Sequence, residues 1–533
     1  MCRVPSVRDS HHARYLFITS LVLAGCHPTK ETAPVGRAIH SGSFVVRNTR
    51  VFDGEQVQNA IDVLVRDGTI AAVGPHLEVP RGTDVVDGAG KTLLPGFTDS
   101  HFHTQGRGML RQAALFGVTT VADMNIDEAR LTQVRRGEPA GADVTEAELH
   151  GAGRLLTAPA GYAVVFGGIE VVSAAACRDV VAARFAAGAD WIKIAIEDQS
   201  SMMVETVRAL DAATVKACAD AAHAAGKKIY AHVTTIAAAR VAIEAGIDGL
   251  VHGPYDAPMP DDLLATMARR HIFVIPTLVT IHNLAGKRAG AADAADPAFA
   301  PLLDAQTAAN LAAPIPTKIG VAPEKVHPEI ADAAIARYAR AGVTILAGTD
   351  TPVWGTAAGV SVHHELELLV AAGLQPLAAL VAATSTPADA FGWHDRGRIR
   401  PGLVADLLLV DGDPTQAITA TRRIAAVWKR GRRLDRDAMV EKVRLLDAGF
   451  KAYNANDFST ANVAFSTAFA LDTTDGEVAY SVAATEVRIG RTNDAFVHLA
   501  IAVAFDPVFK NIAREDPDLE MIRANPQFAA LVR

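Results

Sequence analysis

The chain has 533 residues, half of them hydrophobic, with a formal net charge of −8 and four cysteines. That length exceeds one compact domain and supplies ample apolar mass for a core. The acidic balance and the lack of a long basic run argue against nucleic acid as the main partner. No Cys-x-x-Cys pair is present, so neither a zinc knuckle nor a redox motif is indicated, and Cys177 and Cys218 read as plain core or helix-surface thiols.

In chain order, residues 1–26 read as an export signal. Arg3, Arg8 and Arg14 precede the apolar run Tyr15 to Gly25, which is too short to span a bilayer. The run ends in Leu23-Ala24-Gly25-Cys26, which resembles the lipobox of bacterial lipoproteins, where the cysteine carries the lipid. By that resemblance Cys26 anchors the chain to the cell envelope. His27, rather than Asp, after it implies the outer membrane, facing the periplasm. Residues 27–43 then form a polar tether.

Residues 44–94 read as short strands with glycine turns. Phe44 to Phe52 alternates before Asp53-Gly54, and Ile61 to Arg66 alternates before Asp67-Gly68. This unit is too small to bury its own core and needs further strands. Residues 396–436 supply them, at Gly397 to Ile399, Ala405 to Val410 and Ile424 to Trp428. A β-sandwich split in this way encloses a large insertion, residues 95–395.

The insertion alternates short strands with Ala-rich helical stretches. Val118 to Ala122, Trp191 to Ile196, Ile229 to Val233, Gly249 to Val251, Phe273 to Leu278 and Val343 to Ala347 are the clearest strands. Ala212 to Ala225 and Pro328 to Ala341 are helix-like. The pattern predicts an α/β fold with a parallel sheet, and about 300 residues suit a (β/α)8 TIM-type barrel, whose functional groups sit at C-terminal strand ends.

Chemistry-bearing residues fall at such ends. Pro95 to His103 reads as a strand carrying His101 and His103, two residues apart and so on one face. Lys193 lies in the otherwise apolar strand Trp191 to Ile196, where a permanent ammonium is costly. Burial lowers its pKa and leaves a free amine able to attack carbon dioxide. His232, His252 and Asp350 each end a strand. Four His, one Lys and one Asp form a nitrogen/oxygen set suited to two zinc-like ions.

Over Phe44 to Arg436 the chain resembles the amidohydrolase superfamily of metal-dependent hydrolases. The resemblance rests on Pro95-Gly96-Phe97-Thr98-Asp99-Ser100-His101-Phe102-His103, Gly117 to Asp123, Ala347-Gly348-Thr349-Asp350 and Gly402 to Leu407. It implies that His101, His103 and Asp350 hold one divalent ion, zinc in its native form, while His232 and His252 hold a second. Carboxylated Lys193 would bridge the two; an unmodified Lys193 facing a single metal is the alternative. It further implies a bridging hydroxide as nucleophile, with Asp350 as the proton carrier. Thr235 occupies the place where mononuclear deaminases of the superfamily carry Glu, which favours the binuclear, prolidase-like subgroup over the imidazolonepropionase-like one. The implied reaction is cleavage of an amide bond in a small molecule or short peptide: a dipeptide, an Xaa-Pro dipeptide or an N-acyl amino acid. A lactone or ester hydrolase and a mononuclear, cyclic-amidine hydrolase on the same scaffold are the alternatives. The loop Leu156 to Tyr162 lacks the Gly-Gly-His pattern of that subgroup. Tyr230 shares a strand face with His232 and reads either as a substrate contact or as a packed tyrosine.

Ile281 to Pro328 reads as a candidate lid, helical over Phe299 to Ala312. In residues 440–533, Ala461, Phe465 and Ala468 recur 34 residues later as Ala495, Leu499 and Ala502. This spacing resembles tetratricopeptide units, closed by a helix over Asp516 to Arg533. The all-α repeat reads as a structural cap or as a groove for a protein partner. In the second case a decayed barrel and a non-enzymatic binding role form the alternative to a hydrolase.

Overall fold

The computed structural model describes residues 43–136 and 145–533; the export signal and Cys26 lie outside the described residues. Two compact units are present, one ending at Leu434 and one spanning Asp435–Arg533. Among the described residues no helix is long and apolar enough to cross a membrane.

The first unit begins with β1 (Phe44–Phe52), β2 (Val57–Arg66), β3 (Thr69–Gly74), β4 (Asp84–Asp87) and β5 (Lys91–Pro95). After these come β6 (Phe97–Phe102), β7 (Val118–Asp123), β8 (Glu148–Gly151), β9 (Leu156–Thr157), β10 (Ile169–Glu170) and β11 (Ile192–Ala195). The series ends with β12 (Ile229–Val233), β13 (Gly249–His252), β14 (Phe273–Ile275), β15 (Leu407–Asp411), β16 (Ile424–Lys429) and β17 (Arg432–Arg433). One sheet runs β17-β16-β15-β5-β1-β2-β3, with β4 beside β1. The two sequence-distant halves meet where β15 pairs antiparallel with β5, Leu408 opposite Leu94. Val46, Val63, Leu407, Leu409 and Trp428 form the buried face, and the rings of Phe44 and Trp428 stack at 5.0 Å. The strand expected at Gly397 to Ile399 does not form; Ile399 instead donates its N–H to Asp53 O in the turn after β1.

The insertion holds two further sheets, β6-β7-β8 and β10-β9-β11-β12-β13-β14. β6-β7-β8 is wholly parallel, as are the pairings β9–β11–β12–β13–β14. The expected strand Val343 to Ala347 is not regular, and only Ile345 bridges Val274. Its backbone is nonetheless shared on both sides. Val274 N–H donates to Thr344 O and Leu346 N–H to Val274 O, while Ser100 N–H donates to Ala347 O and Asp350 N–H to His101 O. Gly348 permits this approach, since a Cβ there would lie 2.7 Å from His101 N. At the opposite seam Asp190 N–H donates to Gly151 O just ahead of β11.

The helices follow their local signals. Ala212–Ala224 starts on Asp211, whose carboxylate accepts from Thr214 N–H. Pro328–Ala341 has Pro at its first turn and ends on Gly342 in the left-handed region. Ile281 to Pro328 is not structureless: helices Gly290–Ala295 and Ala305–Ala312 form within it, and Ala322 N–H donates to Met202 O. The expectation for Cys177 and Cys218 is corrected. They form a disulfide between helices Cys177–Ala186 and Ala212–Ala224. Spacing in the chain carried no sign of it, because only packing of the two helices brings the Cα atoms to 4.9 Å.

In the second unit, helices Arg436–Asn454, Phe458–Leu471, Gly476–Arg488 and Thr492–Phe505 are followed by shorter ones. Ala461, Phe465, Ala468, Ala495, Leu499 and Ala502 are all buried, so the 34-residue echo marks core positions. The single helix expected over Asp516 to Arg533 is instead a 3-10 stretch, Pro517–Ile522, and a short helix, Pro526–Leu531. Pro526 opens a separate helix capped by Asn525, and buried Asp518 accepts from Tyr453 and Arg488.

Two measurements check this architecture. A cross-link closing a 41-residue separation is worth about 2–4 kcal/mol. Cys177→Ser, Cys218→Ser and the double variant should therefore lose that amount alike in denaturant unfolding. Losses that add in the double variant would mean the two sulfurs are not bonded. The second concerns Glu148 at the start of β8. Burial works against its charge, but His150, Arg396 and Lys429 outweigh burial and hold its carboxyl far below the usual range. A depressed folded pKa stabilises above the unfolded value of about 4.3 and is lost as pH falls below it. The stability gap between wild type and Glu148→Gln should accordingly be full at pH 6 and shrink toward pH 3. A gap independent of pH would remove Glu148 from this role.

Candidate metal centre

Strand ends and the turns after them assemble the site. His101 is the penultimate residue of β6 and His103 follows the strand, with Asp350 brought in by its backbone bond to His101 O. The Nε2 atoms of His101 and His103 lie 3.2 Å apart, and Asp350 Oδ1 lies 3.1 Å and 3.0 Å from them. This is the one His/Cys/Asp/Glu cluster of ligand-like geometry among the described residues. Two more histidines close around it. The His252 ring centroid lies 4.9 Å from that of His101 and 4.4 Å from that of His232.

Burial makes His101, His232 and His252 neutral. It drives the pKa of His101 and His252 well below the ordinary value and that of His232 down to about 3, with help from the Lys193 charge at His101 and His232. Neutral imidazole is the metal-binding form. Asp350 stays ionised: burial opposes its charge, but a hydrogen bond from His103 and the charges around it prevail. His101 Nε2, His103 Nε2 and Asp350 Oδ1 thus converge within 3.2 Å of one another, an arrangement that a cation bound among them would suit. The donor set fits a divalent ion.

Lys193 lies inside β11, 1% exposed. Burial lowers its amine to about 7, against the pull of Asp350 and Asp123. Tyr230, two residues before His232 on the same strand, is not beside it. It packs against Trp191, Phe273 and Phe391, at ring-centroid distances of 5.0–5.8 Å. Of the two readings of Tyr230, the structure has the packed tyrosine.

Several residues around the centre were not singled out from the sequence. Asp99 is fully buried and accepts from the N–H of His101 and from both the N–H and hydroxyl of Thr349. The Thr277 hydroxyl lies 2.8 Å from His252 Nδ1, which leaves Nε2 to face the cluster. Glu197 Oε2 lies 3.3 Å from His232 Nε2 and accepts from the Thr234 hydroxyl, which itself accepts from Ser201. The ring of Tyr162 lies 4.5 Å from His232 in the loop that lacks Gly-Gly-His. A signal for Glu197 did exist, because it follows Lys193 by four residues and shares its face in an extended chain.

Parallel strands ending in a histidine-rich, carboxylate-bearing centre define a metal-dependent hydrolase. Comparison with known proteins agrees. The amidohydrolase family model matches residues 92–434, and the chain belongs to that family. An uncharacterized protein of Mycobacterium tuberculosis (strain ATCC 25618 / H37Rv) is 28% identical over 385 residues, covering 70% of this chain and 92% of its own. A crystal structure of an amidohydrolase superposes with a TM-score of 0.60 at 24% identity, covering 74% of this chain and 98% of its own. A Xaa-Pro dipeptidase with bound methionine superposes with a TM-score of 0.59 at 20% identity, covering 74% and 99%. At these identities the two structures speak to fold.

Glu197 gives a direct test of the geometry. A carboxylate behind a ligating imidazole fixes its tautomer and raises its basicity, typically by about 10- to 100-fold in metal affinity. Glu197→Gln should weaken zinc binding by that order in a competitive chelator titration, with the fold intact by circular dichroism. Unchanged affinity would mean that Glu197 does not set His232.

Proposed function

We propose that the protein hydrolyses an amide bond of a small substrate, a dipeptide, an Xaa-Pro dipeptide or an N-acyl amino acid, with two divalent ions, zinc in the native form. His101, His103 and Asp350 would hold the first ion and His232 and His252 the second. Lys193, carboxylated, would bridge them. The observation that carries this reading is a buried lysine whose pKa falls to about 7 beside a three-atom cluster of metal-ligand geometry. A neutral amine adds to carbon dioxide, losing one proton and forming a carbamate whose single negative charge is shared by two oxygens. When bound, the ions would supply the chemistry of lowering the pKa of a water and polarising the scissile carbonyl. Asp350 would take the proton of the attacking water on its carboxylate oxygen that does not face His101 and His103, and deliver it to the leaving nitrogen. Tyr162, over His232, screens that face of the centre from bulk water.

The surrounding architecture is read as an eight-fold barrel, residues 95–395, set in a β-sandwich formed by 44–94 and 396–436. The shared backbone of residues 344–351 supports this reading. Residues 440–533 are read as a tetratricopeptide-like cap. Export and a lipid anchor at Cys26 are read from the sequence, and the Cys177–Cys218 disulfide supports an oxidising compartment.

The test is Lys193→Ala. Metal content should fall from two ions to one or none, nearly all activity should be lost, and a short carboxylic acid should restore part of it by occupying the bridging position. A variant that retains two metals and normal turnover would end the binuclear reading.

A further inference from the structure

The helix after β14, Leu278–Leu284, is capped by the wrong residue. Thr277 stands just before it, where a threonine hydroxyl ordinarily accepts from an N–H of the first turn. Here that hydroxyl makes no bond to its own helix. It lies instead 2.8 Å from Nδ1 of His252, at the end of β13. The first turn is served from elsewhere. Glu365, in the helix Val360–Ala371, accepts from Leu278 N–H at 3.0 Å through one carboxylate oxygen and from Val279 N–H at 2.8 Å through the other.

Stability alone does not account for this exchange. Glu365 and Thr277 are both 0% exposed, and a buried carboxylate is a costly cap where a neutral hydroxyl is at hand. Burial pushes the Glu365 pKa up to about 8 against the two N–H bonds, and Asp99 and Asp332 add to the rise. Thr277 is strained as well. Its φ of 49° lies in the left-handed region, which a β-branched residue rarely adopts, whereas an ordinary capping residue is extended. Two arrangements of Thr277 therefore compete. In the one present, the backbone is strained and the hydroxyl meets His252. In the other, the backbone relaxes and the hydroxyl turns back to its own helix. Glu365 occupies the Val279 N–H that the second arrangement needs. The same turn is tied to the other side of the centre, because the Thr280 hydroxyl donates to Thr349 O, next to Asp350.

We propose that Glu365 is a positioning residue of the metal centre: by capping the helix in place of Thr277, it keeps the Thr277 hydroxyl on His252 Nδ1 and His252 Nε2 free for an ion. It acts through Thr277 and touches neither ion nor substrate. This rests on the two-ion reading above and deepens it.

The test is a double-mutant cycle on the full chain, read as zinc affinity in competitive chelator titrations with no substrate present. Glu365→Gln keeps the size of the side chain but sets an amide donor against an N–H, and should weaken the second zinc by about tenfold or more. Thr277→Val removes the hydroxyl, keeps the β-branch and should weaken it alike. In the Thr277→Val background Glu365→Gln should cost no further affinity. Unchanged affinity in Glu365→Gln, or an equal loss in both backgrounds, overturns the proposal, since a merely structural cap would not act through Thr277. Should Glu365→Gln not fold, Glu365→Asp, whose carboxylate falls one methylene short, runs the same cycle. A wild type that takes up only one zinc overturns the two-ion reading instead. Positioning is then decided in the metal-free protein by nitrogen NMR of the His252 ring, assigned by its loss in His252→Asn. A single Nδ1–H tautomer in wild type that becomes a mixture in Glu365→Gln upholds the proposal, and an unchanged tautomer overturns it.

Discussion

One carboxylate joins the pieces on which the site depends. Asp99 lies deep in β6, and its two oxygens hold His101 N–H on its own strand and Thr349 N–H and hydroxyl from the far end of the insertion. Burial pushes its pKa up to about 7, so its hydrogen bonds are what keep it useful as an acceptor. The bonds of Ser100 N–H to Ala347 O and Asp350 N–H to His101 O extend the same junction on either side. Asp350 and His101 are 249 residues apart in the chain, and only His101 lies in a sheet. Their 3.1 Å approach is a product of this seam rather than of local geometry.

The cost of the arrangement shows in the backbone. Asp350, His252 and Thr277 have φ of 61°, 76° and 49°, in the left-handed region that side chains other than glycine seldom adopt. His252 ends β13, Thr277 follows β14 by two residues, and Asp350 follows the irregular segment after Ile345, so each lies where the chain leaves its strand-like path. Such strain persists only where surrounding bonds over-determine it. Here His252 is held by Thr277, Asp350 by the seam, and the segment after Thr277 by Glu365, which accepts from the N–H groups of Leu278 and Val279. The centre is thus pre-shaped by hydrogen bonds that leave its ligand atoms free.

Much of this was legible from strand endings alone. His101 and His103 were read as a pair at one strand end and His232, His252 and Asp350 as groups at three others, and folding brings their rings and carboxylate together at the C-terminal side of the parallel strands. The split sheet was legible too, since alternating strands too few to bury a core require partners elsewhere. What escaped was decided by contacts between distant elements. The disulfide depends on two helices lying side by side. The region Val343 to Ala347 kept its strand-like path but not its regular pairing, because it must bond to neighbours on both sides while Gly348 passes close to His101. Glu197 had only its spacing from Lys193 to announce it, and what sets it apart is burial beside His232.

Tyr230 shows most clearly what periodicity can and cannot say. It does share a face with His232, as a period of two demands. But two residues along a strand are also about 6.6 Å of depth, from a rise of about 3.3 Å each. That step separates a layer of donors, His101, His232 and His252, from a layer of aromatic packing, Trp191, Tyr230, Phe273 and Phe391. Lys193 pairs with Tyr230 across β11 and β12, so it starts from the depth of the lower layer. A lysine has the length to climb from there to the histidines, whereas a shorter polar side chain at the same position would be stranded among the aromatic rings. The choice of lysine in an apolar strand follows from that difference in depth.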